Sequence, residues 1–179
     1  STLKYPDNEI VTYTYDAAGN RTAIRDANSN TSSYTYDPNH KLESTTDPLG
    51  NKISYAYDTE GNLTYVIDQK GNKTTYEYDS LNRPALETNS LGYKKEYQYD
   101  AAGNRIAQTD ALGKTINYEY DSLSRLTKII YPESSVTYAY DSLGRRRQMT
   151  DAQGATSYSY DQLSRLTKVD GSKDDDTLQ

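Results

Sequence analysis

The sequence predicts an all-β fold made of tandem antiparallel β-hairpin repeats, each 20–21 residues long. Three observations support this prediction. The tetrapeptide Tyr-x-Tyr-Asp recurs eight times along the chain, at spacings of 20 or 21 residues. Each repeat carries two turn signals about ten residues apart. The segments between the turns are short and rich in residues that favour strands. Such regularity is typical of a repeat protein.

The composition excludes several other classes of protein. The 179 residues include 26 Leu, Ile and Val but no Phe or Trp, and the mean hydropathy is −1.00. An apolar fraction of about 15% indicates disorder when taken alone, but 20 Tyr residues argue against disorder. A transmembrane segment, a coiled coil and a conventional core are not expected. Without Cys there is no disulfide, thiolate zinc site or cysteine nucleophile.

The charge and the ends of the sequence add further expectations. The net charge of −6, with acidic and basic residues interleaved, argues against nucleic-acid binding. No signal peptide opens the sequence, and we expect no membrane insertion and no cofactor. Because the sequence begins within the repeat pattern, we expect it to be a fragment of a longer protein. We assign residues 1–171 to a single array of eight repeats and residues 172–179 to an acidic, disordered tail.

The tyrosine motif defines the repeat and supplies the candidate site residues. Sixteen of the 20 Tyr residues lie in its pairs. A structural role is expected, because every repeat carries the motif. The motif residues are Tyr13, Tyr15, Asp16, Tyr34, Tyr36, Asp37, Tyr55, Tyr57, Asp58, Tyr76, Tyr78, Asp79, Tyr97, Tyr99, Asp100, Tyr118, Tyr120, Asp121, Tyr138, Tyr140, Asp141, Tyr158, Tyr160 and Asp161.

Two Asp-x-x-Gly-like sequences mark the turns of each repeat. In Asp47-Pro48-Leu49-Gly50, Asp and Pro occupy the first two positions of a type I turn. Gly or Asn can adopt the left-handed conformation that completes a three-residue loop with a G1 bulge. The Asp side chain can accept hydrogen bonds from backbone amides of the turn. Tyr131-Pro132-Glu133-Ser134 is a variant turn, and Tyr5-Pro6-Asp7-Asn8 resembles it.

The repeat length predicts an irregularity in the strands. Each repeat reads as two antiparallel strands, about sixteen in all, and two three-residue loops would return the pattern after 20 residues. Most repeats have 21, and one extra residue would turn every side chain to the other face. We therefore predict a β-bulge or a longer loop in each 21-residue repeat. The last two spacings are 20, so those repeats should lack the bulge or use a different second turn.

The order of the strands also predicts the neighbours of the tyrosines. Strands that carry Tyr pairs alternate with strands of a second type, so the tyrosines should not stack directly on each other. Aliphatic or Arg side chains should lie across from them and stabilise the sheet by about 0.2–1 kcal/mol for each pair. The expected neighbours are Arg21, Leu42, Leu63, Arg105, Leu126, Arg146 and Leu166.

These motifs resemble the YD repeat of the Rhs family. Examples are Tyr97-Gln98-Tyr99-Asp100-Ala101-Ala102-Gly103-Asn104-Arg105 and Thr46-Asp47-Pro48-Leu49-Gly50-Asn51-Lys52. The same repeat occurs in bacterial polymorphic toxins, cell-wall-associated proteins, Tc toxin shell components and teneurins. The resemblance covers residues from about 5 to 171. It implies a curved, spiralling β-sheet strip or β-shell segment.

The resemblance also implies a function. The chain would be a structural scaffold that encapsulates or presents a toxin or adhesive module of a secreted or cell-surface bacterial protein. Its partners would be the remainder of the parent protein or its cargo. No core region with a self-cleavage site is found, and no enzymatic activity is expected. Uncapped edge strands favour edge-to-edge self-association.

Other functions remain as alternatives. Tyr rings beside Asp and Asn suit carbohydrate or cell-surface binding. The candidate residues for such a site are Tyr65, Tyr93 and Tyr131, because they lie outside the repeated motif. Single Asp residues in turns provide too few ligands for a calcium loop, so no metal site is expected. Paired carboxylates suit a glycosidase, but no pair is distinct from the others. His40 is read as a turn residue, and residues 145–147, Arg-Arg-Arg, as a solvated turn and strand start.

Overall fold

The computed structural model describes residues 1–4 and 10–171, and this part of the chain is all-β without helix, as predicted. The sequence Tyr5-Pro6-Asp7-Asn8 and the acidic tail at 172–179 lie outside the described residues. No helix long and apolar enough to span a membrane is found in the described part of the chain.

Seventeen strands lie within the described residues, sixteen of which (β2–β17) are the pairs that the sequence predicts. They are β1 Thr2–Lys4, β2 Ile10–Tyr15, β3 Arg21–Arg25, β4 Thr31–Tyr36, β5 Leu42–Thr46, β6 Lys52–Tyr57, β7 Leu63–Ile67, β8 Lys73–Tyr78, β9 Pro84–Thr88, β10 Lys94–Tyr99, β11 Arg105–Thr109, β12 Thr115–Tyr120, β13 Leu126–Ile130, β14 Ser135–Tyr140, β15 Arg146–Asp151, β16 Gly154–Tyr160 and β17 Leu166–Gly171.

The chain forms two compact units, the first ending at Lys94 and the second beginning at Lys95. In the first unit, β1 to β9 follow one another in sequence order, and each strand pairs antiparallel with the next. In the second unit, β10 to β17 are arranged in the same way. Within each unit, a strand that carries a Tyr pair therefore alternates with a strand of the second type.

Apart from the two loops described below, the turns adopt the predicted three-residue loops. We call the turn after Tyr-x-Tyr-Asp the first turn and the other one the second turn. In the first turn at Asp16, the Gly19 N–H donates to the Asp16 carbonyl at 3.2 Å, and the Asp16 N–H donates to the Asn20 carbonyl at 2.9 Å. Gly19 has a φ of 90°, in the left-handed region. His40 and Asn82 adopt this conformation at the same turn position, with φ of 63° and 59°.

Each Tyr-bearing strand forms a hairpin with a β-bulge. In the hairpin of β6 and β7, Tyr57 lies opposite Leu63 and Ala56 lies opposite Tyr65, so Thr64 has no partner in β6. The hairpins after Asp121 and Asp141, in the 20-residue repeats, contain the same bulge. The alternative that these repeats lack the bulge is therefore wrong.

The other alternative, a different second turn, is confirmed. In these two repeats the second turn is a two-residue loop: the Tyr131 N–H donates to the Ser134 carbonyl at 2.9 Å, and Asp151 pairs with Gly154. The 20-residue repeats are therefore one residue shorter in the second turn, and they retain the bulge. Both repeat lengths thereby keep the Tyr pairs on one face.

Deletion of Thr64 is expected to be tolerated. Since Thr64 has no cross-strand partner, its removal leaves every other pair between β6 and β7 unchanged. We expect the β-type circular dichroism spectrum to remain and the free energy of unfolding to change by less than about 1 kcal/mol. Deletion of Val66 is the control, because it moves Tyr65 to a position opposite Tyr55. A Thr64 deletion as damaging as the Val66 deletion would contradict this account of the bulge.

The sheet has no conventional hydrophobic core. Among the described residues, only Ala107 and Ser44 are buried, with 7% and 3% of their surface exposed. Other strand residues are mostly half-buried, and the Leu residues in the turns are largely exposed. Stability therefore depends on contacts between neighbouring strands and neighbouring repeats, as in other repeat proteins.

Candidate functional site

Each first turn is held by the carboxylate of its motif Asp. The Oδ1 atom of Asp58 accepts the N–H groups of Gly61 and Asn62, both at 2.7 Å. Its Oδ2 atom accepts the Asn62 side-chain amide at 2.9 Å. At Asp121 the same roles are filled by backbone amides and by the Nε of Arg125, at 2.7 Å. We count the motif Asp as the first residue of the turn, so that Asn62 and Arg125 are each a fifth turn residue. This residue closes the turn through both its backbone and its side chain.

These hydrogen bonds lower the pKa of most turn carboxylates. The Asn side-chain amide four residues on is the main cause at Asp16 and Asp47, and the Arg125 side chain is the main cause at Asp121. In each case backbone N–H donors lower the pKa further, because they favour the charged form. The pKa is lowered at Asp16, Asp26, Asp47, Asp58, Asp68, Asp79, Asp100, Asp121, Asp141 and Asp161.

The second Tyr of the motif links its repeat to the preceding one. The Tyr57 hydroxyl donates to the Leu42 carbonyl at 3.1 Å, where Leu42 is the first residue after the preceding first turn. Equivalent bonds are made by Tyr36, Tyr78, Tyr120, Tyr140 and Tyr160. Burial is the main reason that the pKa of Tyr57 is raised. The hydroxyl is thus a structural donor between repeats.

Substitution of Tyr57 by Phe is expected to lower the free energy of unfolding by about 1 kcal/mol, because the bond to the Leu42 carbonyl is lost. Chemical denaturation of the two proteins measures the difference. Tyr55→Phe is the matched control, since its hydroxyl forms no hydrogen bond among the described residues. Equal effects of the two substitutions would show that the inter-repeat bond contributes nothing.

In several repeats, the first Tyr of the motif is covered by a cationic side chain. In the second compact unit, the Arg105 guanidinium lies 5.8 Å from the ring centre of Tyr97 and 5.1 Å from that of Tyr118. Arg146 lies in the same way between Tyr138 and Tyr158, at 5.5 and 5.2 Å. These distances allow cation–π attraction. The Arg at the start of the second strand therefore joins the tyrosines of two consecutive repeats.

The predicted neighbours of the tyrosines are confirmed for the second Tyr of the motif. Tyr15 lies opposite Arg21, and Tyr36 lies opposite Leu42. The same position is occupied by Leu63, Arg105, Leu126, Arg146 and Leu166 in their hairpins. The first Tyr faces a different residue, such as Ile24 opposite Tyr13. No Tyr pair lies on the strand directly beside another Tyr pair in either compact unit, as predicted.

The singled-out residues outside the motif do not form a separate site. His40 is a turn residue, as predicted, and its Nδ1 lies 3.0 Å from the Asn20 side-chain nitrogen. Arg145 and Arg146 lie at the turn and strand start and contact Tyr rings. Tyr65 is covered by the Lys73 ammonium at 4.1 Å. Tyr93 and Tyr131 are exposed in second turns.

The sequence reasoning missed the fifth turn residue as a functional position. A signal for it was present, because every first turn carries an amide or a cation there. These residues are Asn20, Lys41, Asn62, Arg83, Asn104, Arg125, Arg145 and Arg165.

Hollows on the surface are open and shallow. One of about 470 Å³ is lined by Asp58, Glu60, Glu77 and Asp79 together with neighbouring polar and Tyr residues. Asp58 and Asp79 bind side chains of their own turns. Within residues 1–4 and 10–171, no group of three His, Asp or Glu residues is placed to hold a metal ion.

Comparison with known proteins identifies a family. The RHS Repeat family matches residues 1–31, 15–52, 36–68, 57–94, 85–115, 99–136 and 140–174. Comparison with curated proteins gives no match. The matched stretches cover nearly the whole chain, and they follow the tyrosine motifs from one repeat to the next.

Solved structures share the fold. The crystal structure of TcdB2-TccC3-Cdc42 has a TM-score of 0.78 and 19% identity, covering 91% of this chain and 10% of that chain. The Photorhabdus luminescens Tc holotoxin pore has a TM-score of 0.75 and 19% identity, with the same coverage. The present chain therefore spans about a tenth of the matched chains. On the evidence of the family matches, the chain is an array of tandem hairpins that belongs to the RHS repeat family.

Proposed function

We propose that the chain is a segment of a β-shell that encapsulates or presents a toxin or adhesive module of a secreted or cell-surface protein. In this proposal residues 1–171 form one array, and its partners are the remainder of the parent protein or its cargo. The motif tyrosines and aspartates serve as structural residues rather than as a ligand site.

The observation that supports this proposal is that the chemistry of the motif is used inside the array. The Asp carboxylates accept hydrogen bonds from their own turns, and Tyr hydroxyls donate to the preceding repeat. Cations cover several Tyr rings. A surface whose motif groups are used by its own turns and neighbouring repeats suits a wall, whereas a catalytic or binding site needs groups that differ from the repeat average.

Protection of cargo in the parent protein tests the proposal. Limited proteolysis should leave the enclosed module intact in the wild type and digest it after Gly71→Val and Tyr57→Phe are combined to weaken the wall. A module that is digested at the same rate in the wild type and as an isolated domain would overturn encapsulation.

The alternative function, carbohydrate binding, requires a separate measurement. The covered Tyr rings do not favour it, because stacking of a sugar needs a free aromatic face. A glycan array and calorimetric titration with the isolated chain should show no binding at millimolar ligand. Saturable binding that is lost on Tyr93→Ala, with Tyr65→Ala as control, would favour a binding module instead.

A further inference from the structure

His40 is the acceptor in a contact that crosses from one repeat to the next. It occupies the left-handed position of its first turn, with a φ of 63°. Its Nδ1 atom lies 3.0 Å from the side-chain nitrogen of Asn20, the fifth turn residue of the preceding repeat. The same nitrogen donates to the Asp16 Oδ2 at 2.9 Å. One amide group therefore links its own turn to the turn of the next repeat.

The chemistry of the three side chains assigns the donor and the acceptors of this link. The Asn20 nitrogen must face Asp16, because a carboxylate can only accept hydrogen bonds. The second hydrogen of the amide is then directed to His40, so the His40 Nδ1 atom must accept it. A His ring whose Nδ1 accepts is neutral and carries its proton on Nε2. The link therefore belongs to the neutral form of His40.

Protonation of His40 removes the acceptor of the link. A proton on Nδ1 makes this atom a donor, and it then faces the N–H donor of Asn20. Rotation of the Asn20 amide does not resolve the conflict, because it would place the amide oxygen against the Asp16 carboxylate. Either arrangement brings two donors or two acceptors together. The link between the two first turns is therefore lost when His40 is protonated.

The nearest carboxylates cannot restore the link. Asp16 accepts the N–H groups of Ala18 and Asn20 as well as the Asn20 side chain. Asp37, in the turn of His40, accepts two backbone N–H groups in the same way. An ion pair between either carboxylate and the charged ring would still leave the second amide hydrogen of Asn20 without an acceptor on the next repeat.

The other charged residues near these first turns are Arg21, Lys41, Glu43, Asp58 and Glu60. The two cations cannot accept a hydrogen bond, and each lies over a Tyr ring of the following repeat. The three carboxylates accept hydrogen bonds from groups of their own hairpins. Among the residues that the structure describes, His40 is the one acceptor that links the Asn20 side chain to the next repeat.

Two equivalent links have acceptors that do not titrate. The Asn62 amide donates to the Oδ1 atom of Asn82 at 2.9 Å. The Asn104 amide donates to the Oγ atom of Ser124 at 3.2 Å. Asn82 and Ser124 occupy the left-handed position of their turns, as His40 does. The chain therefore contains matched controls for the link at His40.

We propose that the link between Asn20 and His40 is an acid-sensitive contact, closed when His40 is neutral and open when it is protonated. Histidine ordinarily changes its charge between about pH 5 and 8. His40 is the only His in the chain, and its exposed position gives solvent access to the ring. Mild acid therefore opens this one contact and leaves the links at Asn62 and Asn104 closed. The inference goes beyond the scaffold role and does not depend on encapsulation.

Exchange of side-chain amide protons in the full chain tests the proposal. The chain is labelled with ¹⁵N, and exchange of the Asn side-chain protons with solvent is followed by nuclear magnetic resonance between about pH 8 and 5. Because exchange itself depends on pH, the measured quantity is the ratio of the Asn20 rate to the Asn62 rate. This ratio should rise about threefold on acidification, with the same midpoint as the titration of the His40 ring.

Two substitutions make the test specific. His40→Asn reproduces the pair formed by Asn62 and Asn82, so the ratio should stay constant over the whole pH range. His40→Gly removes the acceptor but suits the left-handed position, which Gly61 occupies in the next first turn. This variant should give the raised ratio at every pH. Both variants should keep the β-type circular dichroism spectrum, because the backbone hydrogen bonds of the turn remain.

Three results would overturn the proposal. A constant ratio in the wild type would show that protonation leaves the link intact. A ratio that falls in acid would show that the charged ring holds the two turns together more tightly. A pH dependence that persists in His40→Asn would assign the effect to another group. None of these results bears on whether the parent protein encloses a cargo, so the two proposals fail separately.

Discussion

Acidification below about pH 4 is expected to unfold the array. Ten turn aspartates have a pKa below the ordinary value of 3.8, chiefly because of hydrogen bonds within their turns; Asp16, Asp47 and Asp121 are examples. A carboxylate with a lowered folded-state pKa binds fewer protons when folded than when unfolded. Its contribution to stability is therefore complete above the unfolded pKa and is lost as the pH falls through the folded pKa.

The effect should be large because it is repeated. The hydrogen bonds of each turn weaken when its Asp is protonated, because a neutral carboxyl group is a poorer acceptor than a carboxylate, and these turns join consecutive strands. The melting temperature, followed by circular dichroism, should be level from pH 8 to about 5 and fall steeply below about 4. Asp121→Asn is the control, and it should make the fall less steep because one titrating group is removed. A melting temperature that rises between pH 5 and 3 would contradict the role of these carboxylates.

The sequence was sufficient for the elements that local chemistry determines. Asp at the start of a turn, and Gly or a tolerated substitute at its left-handed position, have local conformational preferences. The turn at Asp47 and Gly50 could therefore be predicted without any tertiary contact. The faces of strands such as β6 follow from period-two alternation, and the need for a bulge follows from counting residues.

The contacts between repeats could not be predicted in the same way. Which Tyr meets which neighbour depends on the bulge position, and several positions satisfy the same count. For example, the Tyr57 hydroxyl reaches the Leu42 carbonyl of the preceding repeat, next to Glu43, the bulge residue of that repeat. The covering of Tyr97 and Tyr118 by Arg105 arises for the same reason. These contacts are properties of the strand register rather than of any one motif.

These contacts explain how the sheet is stable although the chain has few apolar residues. Only two of the described residues are buried, so the hydrophobic effect cannot act through a core. Hydrogen bonds from Tyr hydroxyls, cations over Tyr rings and capped turns recur in repeat after repeat, and each contributes about 1 kcal/mol or less. In a wall stabilised in this way, each repeat depends on the repeats beside it. The array therefore loses stability when any one repeat is disrupted.

Substitution of Gly71 by Val is expected to break one repeat and lower the melting temperature of the array. Gly71 has a φ of 83° in a second turn, where its N–H donates to the Asp68 carbonyl at 2.9 Å. A β-branched residue rarely adopts this conformation, and the strain costs about 2 kcal/mol, or roughly 4–8 °C in melting temperature. No atom lies within 4 Å of a Cβ built there, so the effect isolates backbone strain from crowding.

The matched control is Gly71→Asn. Asn82 adopts a φ of 59° at the equivalent position of a first turn, which shows that this fold accommodates Asn in the left-handed conformation. Gly71→Asn should therefore cost less than about 1 kcal/mol. If Val and Asn lowered the melting temperature equally, the left-handed conformation would not be what the turn requires of Gly71. A large effect of Val alone would show that the turn, rather than packing, sets the stability of the repeat, because a Cβ at this position meets no neighbouring atom within 4 Å.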